Sequence, residues 1–102
     1  MKPTVSVQIV TFNSEDDIEN CLKAVKTQSY PIHRLIVIDN NSNDETVLKV
    51  QGFENIEIIR NKKNVGFAKG HNQGITMTNT NYVLVLNPDV RLHENYIEYI
   101  VE

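Results

Sequence analysis

The sequence predicts an α/β fold in which a mostly parallel sheet is flanked by helices. Short β-branched apolar runs occur four times along the chain, and a segment predicted to be helical follows each run. Strands that alternate with helices in this way require right-handed crossovers and a parallel sheet. We expect the strand order 3-2-1-4, in which chain growth reverses between the first and fourth strands and the polar ends of strands one, two and four therefore line one crevice.

The first strand is predicted over residues 4–10, a run dominated by valine and isoleucine. A helix is predicted to begin at Ser14, which has the residue type of an N-cap and is followed by Asp17 three positions later. Its apolar residues recur at i, i+3, i+4 and i+7, and they are Ile18, Cys21, Leu22 and Val25.

A second strand is predicted over residues 35–38, and it runs into the polar segment 39–42. Ser42 and Glu45 have the spacing of a capping box, which predicts a second helix that ends near Gly52. A third strand is predicted over residues 56–59, and a polar, basic segment over residues 60–64 follows it.

Three glycines at four-residue spacing, Gly66, Gly70 and Gly74, predict a helix over about residues 67–78 that packs closely on a neighbouring element. The fourth strand is predicted over residues 82–86. A last helix is predicted from apolar residues at helical spacing between 92 and 100, and it reaches the C-terminus without a stop signal. We therefore expect residues 1–102 to form a single domain that is incomplete.

Composition narrows the function classes. The 102 residues are 40% hydrophobic and 23% charged, as in an ordinary globular protein. The net charge of -3 predicts no nucleic-acid partner. The single cysteine, Cys21, is predicted to be a core thiol, and His33, His71 and His93 are predicted to be surface or packing residues. No apolar run approaches a membrane span, so we expect a cytoplasmic location, with the cytoplasmic face of the membrane as an alternative.

Asn87, Pro88 and Asp89 follow the apolar run of the fourth strand directly. Proline cannot donate to a sheet ladder, so the triplet is expected just beyond the carboxyl end of a strand, where α/β sheets bind ligands. A carboxylate there suits Mg²⁺ or Mn²⁺, which take few protein ligands and complete their shell with phosphate oxygens and water. The alternative is ordinary turn chemistry, with Asp89 capping the next helix. Asp39 directly ends the second buried strand, and a ligand role is expected for it with helix-entry turn chemistry as the alternative.

Four segments together resemble the N-terminal, nucleotide-binding half of the family 2 glycosyltransferases, which have the Rossmann-like GT-A fold. They are VSVQIVTFN, LIVIDNNSNDET, NVGFAKGHNQG and VLVLNPD, and they cover nearly the whole chain. The combination NVGFA with LNPD is most similar to the rhamnosyltransferase-like members. The resemblance implies an inverting, metal-dependent transfer of a sugar from a nucleotide-diphosphate donor to a saccharide or lipid-linked acceptor, as in polysaccharide biosynthesis.

The resemblance also implies roles for individual residues. Thr11, Phe12 and Asn13 would lie against the base and ribose, with a place in the core as the alternative for Phe12. Asp39 would accept a hydrogen bond from the base, and Asn40 stands where relatives often carry a second aspartate. Asn64, Gly66 and Asn72 would belong to the segment that runs beneath the donor. Lys62, Lys63 and Lys69 would contact the diphosphate, with a place on the solvated surface as the alternative. Asn87 replaces the first carboxylate of the Asp-x-Asp metal motif, so Asp89 would bind the divalent metal, Mn²⁺ or Mg²⁺.

Nothing after Asp89 resembles the family's catalytic base, so the resemblance implies that this chain supplies only the donor and metal site. Two other function classes stay open. A sugar-phosphate nucleotidyltransferase would also be α/β with a carboxylate-bound metal, but the basic, glycine-rich loop expected after its first strand is absent. A nucleotide-binding or interaction module without turnover is the other. The exposed apolar edge expected at the fourth strand further predicts a homodimer.

Overall fold

A computed structural model describes residues 2–102 of the chain. Strands and helices alternate throughout. The strands are β1 (Val5–Thr11), β2 (Arg34–Asp39), β3 (Glu57–Arg60) and β4 (Tyr82–Leu86). The helices are α1 (Ile18–Lys26), α2 (Thr46–Gln51), α3 (Phe67–Ile75) and α4 (Tyr96–Val101). The predicted alternation is thereby confirmed.

The four strands form one sheet in the order β3-β2-β1-β4, and every neighbouring pair is parallel. This order confirms the predicted one. In the register of the sheet, Thr11 is the neighbour of Asp39 at the end of β2, and Ile9 is the neighbour of Leu86 at the end of β4. The segment that follows Leu86 therefore leaves the sheet on the other side of β1 from Asp39.

Helices cover both faces of the sheet. On one face, α1 and α4 bury Ile18, Leu22 and Ile97 completely against alternate residues of β1 and β2. A smaller cluster of Val10, Ile36 and Ile38 lies on the opposite face, next to α3. Every residue of β1 is buried, as expected for a central strand of a parallel sheet.

The close packing predicted for the glycine helix is observed. A Cβ atom at Gly70 would lie 3.0 Å from a methyl group of Val10, and one at Gly74 would lie 2.5 Å from the side-chain oxygen of Gln8. The Nε2 group of Gln8 donates to the carbonyl of His71 at 2.8 Å and contacts the Nδ1 atom of the same residue at 2.9 Å. The histidine is therefore a packing residue, while His33 and His93 are exposed, as predicted.

Several predicted boundaries are wrong. The α1 helix begins at Ile18 and α2 at Thr46, and neither has a side-chain N-cap. The Ser14 hydroxyl bonds the backbone of Phe12, and the Ser42 hydroxyl bonds Asp39. Both hydroxyl groups thus bond a residue two or three positions earlier in the chain and do not cap the predicted helices. The last two helices are also shorter than predicted, since α3 ends at Ile75 and α4 begins at Tyr96.

Candidate functional site

The carboxylate of Asp39 joins three segments at the carboxyl edge of the sheet. Its Oδ1 atom accepts hydrogen bonds from the hydroxyl groups of Thr11 at 2.7 Å and Ser42 at 2.6 Å. Its Oδ2 atom accepts one from the backbone N–H of Ser42 at 2.9 Å. Asp39 is only 2% exposed, so the carboxylate is buried with its donors supplied by the protein. Each carboxylate oxygen can accept twice, which leaves Oδ2 one acceptor position.

Asn13 connects the loops that follow β1 and β2. Its backbone N–H donates to the Ser42 hydroxyl at 2.8 Å, and its side-chain oxygen accepts from the backbone N–H of Asn43 at 2.8 Å. Asn13 has φ 48° and Asn41 has φ 65°, both in the left-handed region that asparagine tolerates better than most residues. The two loops therefore hold each other in a defined arrangement around Asp39.

Asn40 is buried at the end of β2, and its side chain bonds the segment between β3 and α3. Its Nδ2 group donates to the carbonyl of Gly66 at 3.1 Å, and its Oδ1 atom accepts from Asn61 at 2.9 Å and from the backbone N–H of Val65 at 3.4 Å. The predicted donor-binding residue is thus occupied by protein partners. Within this segment, the side-chain oxygen of Asn64 accepts a hydrogen bond from the backbone N–H of Gly66 at 2.8 Å.

The lysines predicted to meet the diphosphate are all exposed, and they lie in two places. Lys62 and Lys63 belong to the segment held by Asn40. Lys69 and Asn72 lie on α3, on the side opposite Gly70 and Gly74, and they line a shallow depression of about 380 Å³. The structure does not bring Asn72 and Lys69 to the network around Asp39, and their ligand roles stay predictions.

The Asn87–Asp89 segment follows β4 on the far side of β1. Both Asn87 and Asp89 have exposed side chains, and among residues 2–102 neither side chain has a hydrogen-bond partner in the protein. The carbonyl of Asn87 lies 3.8 Å from the sulfur of Cys21, which places this segment over the start of α1. Thr11 at the end of β1 therefore has Asp39 on one side and the Asn87–Asp89 segment on the other.

Within the described part of the chain, no three histidine, cysteine or acidic side chains lie close enough together to bind a metal ion. A divalent cation at this edge of the sheet would therefore have Asp89 as its protein carboxylate. Asp39 cannot turn to a cation without losing its donors, whereas the carboxylate of Asp89 is exposed and free. A single free carboxylate at a strand end suits Mg²⁺ or Mn²⁺ when phosphate oxygens and water complete the shell. The residues present therefore fit a metal that arrives with a diphosphate.

Two other side chains complete the surroundings. Phe12 is 48% exposed at the end of β1, so its predicted alternative as a core residue is wrong. Cys21 is fully buried, as predicted, and burial raises its pKa to about 11, with smaller contributions from the charges of Asp89 and Asp17. A thiol with such a pKa is inert at neutral pH.

Three residues that sequence reasoning did not assign to the site support it. Ser42 was interpreted as a helix cap, although it supplies two of the three donors to Asp39. Asn61 and Gln73 exchange a pair of amide hydrogen bonds at 2.8 and 2.9 Å, which tie the loop to α3. The polar residue directly after β3 was the available signal for Asn61, whereas nothing local singles out Gln73.

The fold is an α/β domain with a four-stranded parallel sheet, and polar residues follow the ends of β1, β2 and β4. The sequence model described as Glycosyl transferase family 2 matches residues 6–102, so the chain belongs to this family. It is similar to the glycosyltransferase AglE of Haloferax volcanii, with 31% identity over 94% of this chain and 34% of that protein. It is also similar to the poly(ribitol-phosphate) beta-N-acetylglucosaminyltransferase TarP of Staphylococcus aureus, with 33% identity over 92% of this chain and 31% of that protein.

Solved structures show the same fold. The S. aureus TarS fragment 1–349 superposes with a TM-score of 0.88 over 95% of this chain and 31% of that chain, at 23% identity. The mannosyltransferase PcManGT of Pyrobaculum calidifontis superposes with a TM-score of 0.81 over 87% of this chain and 28% of that chain, at 23% identity. The family and the GT-A fold implied by the resemblance are thereby confirmed. The chain spans about a third of the length of these relatives.

Among residues 2–102, no helix combines the length and the apolar character needed to cross a membrane.

Proposed function

We propose that this chain binds the nucleotide-diphosphate donor of a glycosyltransferase and the divalent metal that accompanies it. The observation that carries the proposal is the arrangement at the end of β1, where the buried, fully oriented Asp39 lies on one side of Thr11 and the free Asp89 follows β4 on the other. A rigid carboxylate suits recognition of base N–H groups, and a free one suits a hard cation.

Recognition of the base would fall to the β1 and β2 ends. Oδ2 of Asp39 retains an acceptor position, and the exposed ring of Phe12 offers an aromatic surface for a planar base. Complexes of the structural relatives support a nucleotide-sugar donor, since TarS was solved with UDP and with UDP-GlcNAc, and PcManGT with GDP-Man and Mn²⁺. The rhamnosyltransferase-like assignment stays a prediction.

Asp89 would hold the metal, with the exposed amide of Asn87 beside it. When bound, a divalent cation neutralises charge that grows on a leaving diphosphate. The chain's own contribution is to keep Asp89 free of protein partners and to place it one strand away from Thr11. Lys62 and Lys63 would add positive charge from the segment that Asn40 holds.

We further propose that residues 1–102 are the donor part of a domain whose base and acceptor site lie elsewhere. An inverting transfer needs a general base next to the acceptor hydroxyl. A saccharide or lipid-linked acceptor is proposed on the same basis, and so is a location in the cytoplasm or at its membrane face. The relatives that are about three times longer support this division.

The two-fold association of the chain is a proposal as well. Within the described residues 2–102, β4 pairs only with β1. The strand carries Tyr82 at 53% and Val85 at 40% exposure, without a charged residue between Tyr82 and Leu86. Ile100 of α4 is 50% exposed, and it lines a small apolar depression next to this strand. An unpaired strand edge can form backbone hydrogen bonds with the same edge of a second copy in antiparallel orientation. We therefore propose that the outer edge of β4 pairs with a second copy of this chain.

Calorimetric titration with UDP or TDP in the presence of Mn²⁺ tests the proposed donor site. We expect binding that weakens on chelation and in Asp89→Asn, because the metal loses its carboxylate, and that also weakens in Asp39→Ala. The matched control is Asp16→Asn, which removes the same charge from an exposed position in the turn that precedes α1. Binding that ignores chelation and both substitutions would exclude this site.

A further inference from the structure

The hydrogen-bond partners of Asn40 fix the orientation of its side-chain amide. The carbonyl of Gly66 can only accept a hydrogen bond and the backbone N–H of Val65 can only donate one, so the amide orientation, nitrogen toward Gly66 and oxygen toward Val65, follows from the backbone. Asn40 is 2% exposed, and each of its polar atoms has a partner. No part of this amide is left to contact a ligand without breaking a bond to the loop.

The partners of the Asn40 side chain all belong to one segment. Asn61 follows β3, Val65 and Gly66 precede α3, and the Gly66 carbonyl also accepts the first hydrogen bond of α3 from Gly70 at 3.1 Å. The Asn61 side chain extends the connection to Gln73 in the middle of the helix. The buried Asn40 amide therefore ties the end of β2 to residues 61–66 and to the start of α3, in addition to a 2.9 Å backbone hydrogen bond from the N–H of Asn61 to the carbonyl of Asp39.

An aspartate at this position would not replace the asparagine. A carboxylate can accept from Asn61 and Val65, but it has no hydrogen for Gly66 and would set an anionic oxygen against that carbonyl. The amide is thus required by the loop conformation seen here, in which Gly66 has φ 88° and the exposed Lys62 and Lys63 lie in the bonded segment.

We propose that Asn40 is a positioning residue for the donor site and not one of its ligands. It holds residues 61–66 against the end of β2, so that the lysines and Asn64 face a diphosphate in one arrangement. This inference rests on the proposed donor site. It assigns to Asn40 a role that requires an amide and that a carboxylate would not fulfil.

A double-mutant cycle separates a positioning residue from a ligand. Asn40→Ala removes the side-chain connection from the β2 side, and Asn61→Ala weakens it from the loop side, while the backbone hydrogen bond from Asn61 to Asp39 is retained in both. We expect each variant to bind UDP with Mn²⁺ roughly tenfold more weakly, since each loses buried hydrogen bonds that order the loop. We expect the double variant to be within about twofold of the weaker single variant, because both changes release the same segment. A loss confined to Asn40→Ala, or losses that multiply, would overturn the proposal.

The charge at this position supplies a second test. Asn40→Asp should weaken UDP binding about as much as Asn40→Ala, whereas Asn41→Asp, which adds the same charge at the next, exposed residue, should change it less than about twofold. Equal effects of the two aspartates would show a charge effect and contradict the proposal. Should Asn40→Ala fail to fold, Asn61→Ala and Asn40→Asp still decide between the two roles.

A readout without ligand distinguishes failure of this inference from failure of the donor site. Backbone order parameters of residues 62–66 should be those of rigid structure in the unmodified chain and should fall in Asn40→Ala and Asn61→Ala. If the unmodified chain binds neither UDP nor TDP, the proposed donor site is wrong, and unchanged order in both variants would refute the connection itself.

Discussion

The hydroxyl of Thr11 donates a 2.7 Å hydrogen bond to the carboxylate of Asp39, and the two residues are direct neighbours at the ends of β1 and β2. Thr11 is fully buried and Asp39 is 2% exposed, so this bond is formed away from solvent. A hydrogen bond to a buried carboxylate is stronger than one between neutral groups. The pair therefore both stabilises the fold and orients the carboxylate that we assign to the base.

Replacing Thr11 by valine keeps the shape of the side chain and removes its donor. We expect Thr11→Val to lower the free energy of unfolding by about 2 kcal/mol, because Asp39 loses one of its charge-assisted hydrogen bonds without regaining solvent. Urea denaturation measures this change. Thr27→Val is the matched control, since its exposed hydroxyl donates only to carbonyls of α1 and the loss should be much smaller. An equal loss of unfolding free energy in the two variants would show that the hydrogen bond to Asp39 stabilises the fold no more than an exposed one.

The glycines of α3 differ from other glycines in what surrounds them. In Gly74→Ala the added methyl group would lie 2.5 Å from a Gln8 side chain that is itself held by His71, so we expect a loss of about 1–3 kcal/mol in the free energy of unfolding despite the better helix propensity of alanine. Gly52→Ala is the control, because it has an ordinary φ of -71° and its nearest contact is 3.3 Å. Thermal unfolding of both variants tests the difference, and a stabilised Gly74→Ala would contradict it.

Acidification should destabilise the fold through His71. Burial lowers the pKa of this histidine below its ordinary value of 6.5, so the folded chain keeps it neutral while the unfolded chain takes up a proton. Its contribution to stability is therefore complete above pH 6.5 and is lost as the pH falls through the lower folded-state value. His71→Asn, which retains an acceptor for Gln8 but cannot titrate, should flatten the dependence of the unfolding free energy on pH in this window. The exposed His33→Asn should leave the dependence intact, and the same result for both would refute this assignment.

Catalysis should require more than these residues. We expect the 102-residue chain to transfer no sugar to an acceptor and to hydrolyse the donor slowly at most, because the resemblance places the base and acceptor pocket elsewhere. In a longer chain that contains this one, Asp89→Ala should lower the rate roughly 10²- to 10⁴-fold through loss of the metal. Product analysis with a labelled nucleotide sugar measures both. Robust transfer by the short chain, or a rate loss below about tenfold in the longer one, would contradict this division.

The outer edge of β4 should mediate association. We expect light scattering to show a dimer whose fraction rises with concentration, and we expect Val85→Lys to shift it to monomer, since a charge on an edge strand opposes pairing. Leu48→Lys places the same charge on α2 at a residue that is 63% exposed, and it should leave the association unchanged. A chain that stays monomeric at high concentration would refute the proposed dimer.

The sequence by itself determined the architecture. Apolar runs too short for helices predict buried strands, apolar residues at helical spacing predict the intervening helices, and the polar ends of the first, second and fourth strands favour the order that is observed. These features are local or follow from chain connectivity, so periodicity and crossover handedness are sufficient to recognise them. The candidate positions Thr11, Asp39 and Asp89 were found for the same reason, because each stands where an apolar strand ends.

Only the tertiary structure decided what the polar side chains bond. Thr11 donates to Asp39, which is 28 residues away in sequence, and Asn40 stands where a ligand was predicted but bonds Gly66, which is 26 residues away. Gln8 and His71, 63 residues apart, meet because β1 and α3 pack through glycines. A buried polar group must find a partner wherever the fold brings one, and that choice depends on contacts between distant segments that no local pattern contains.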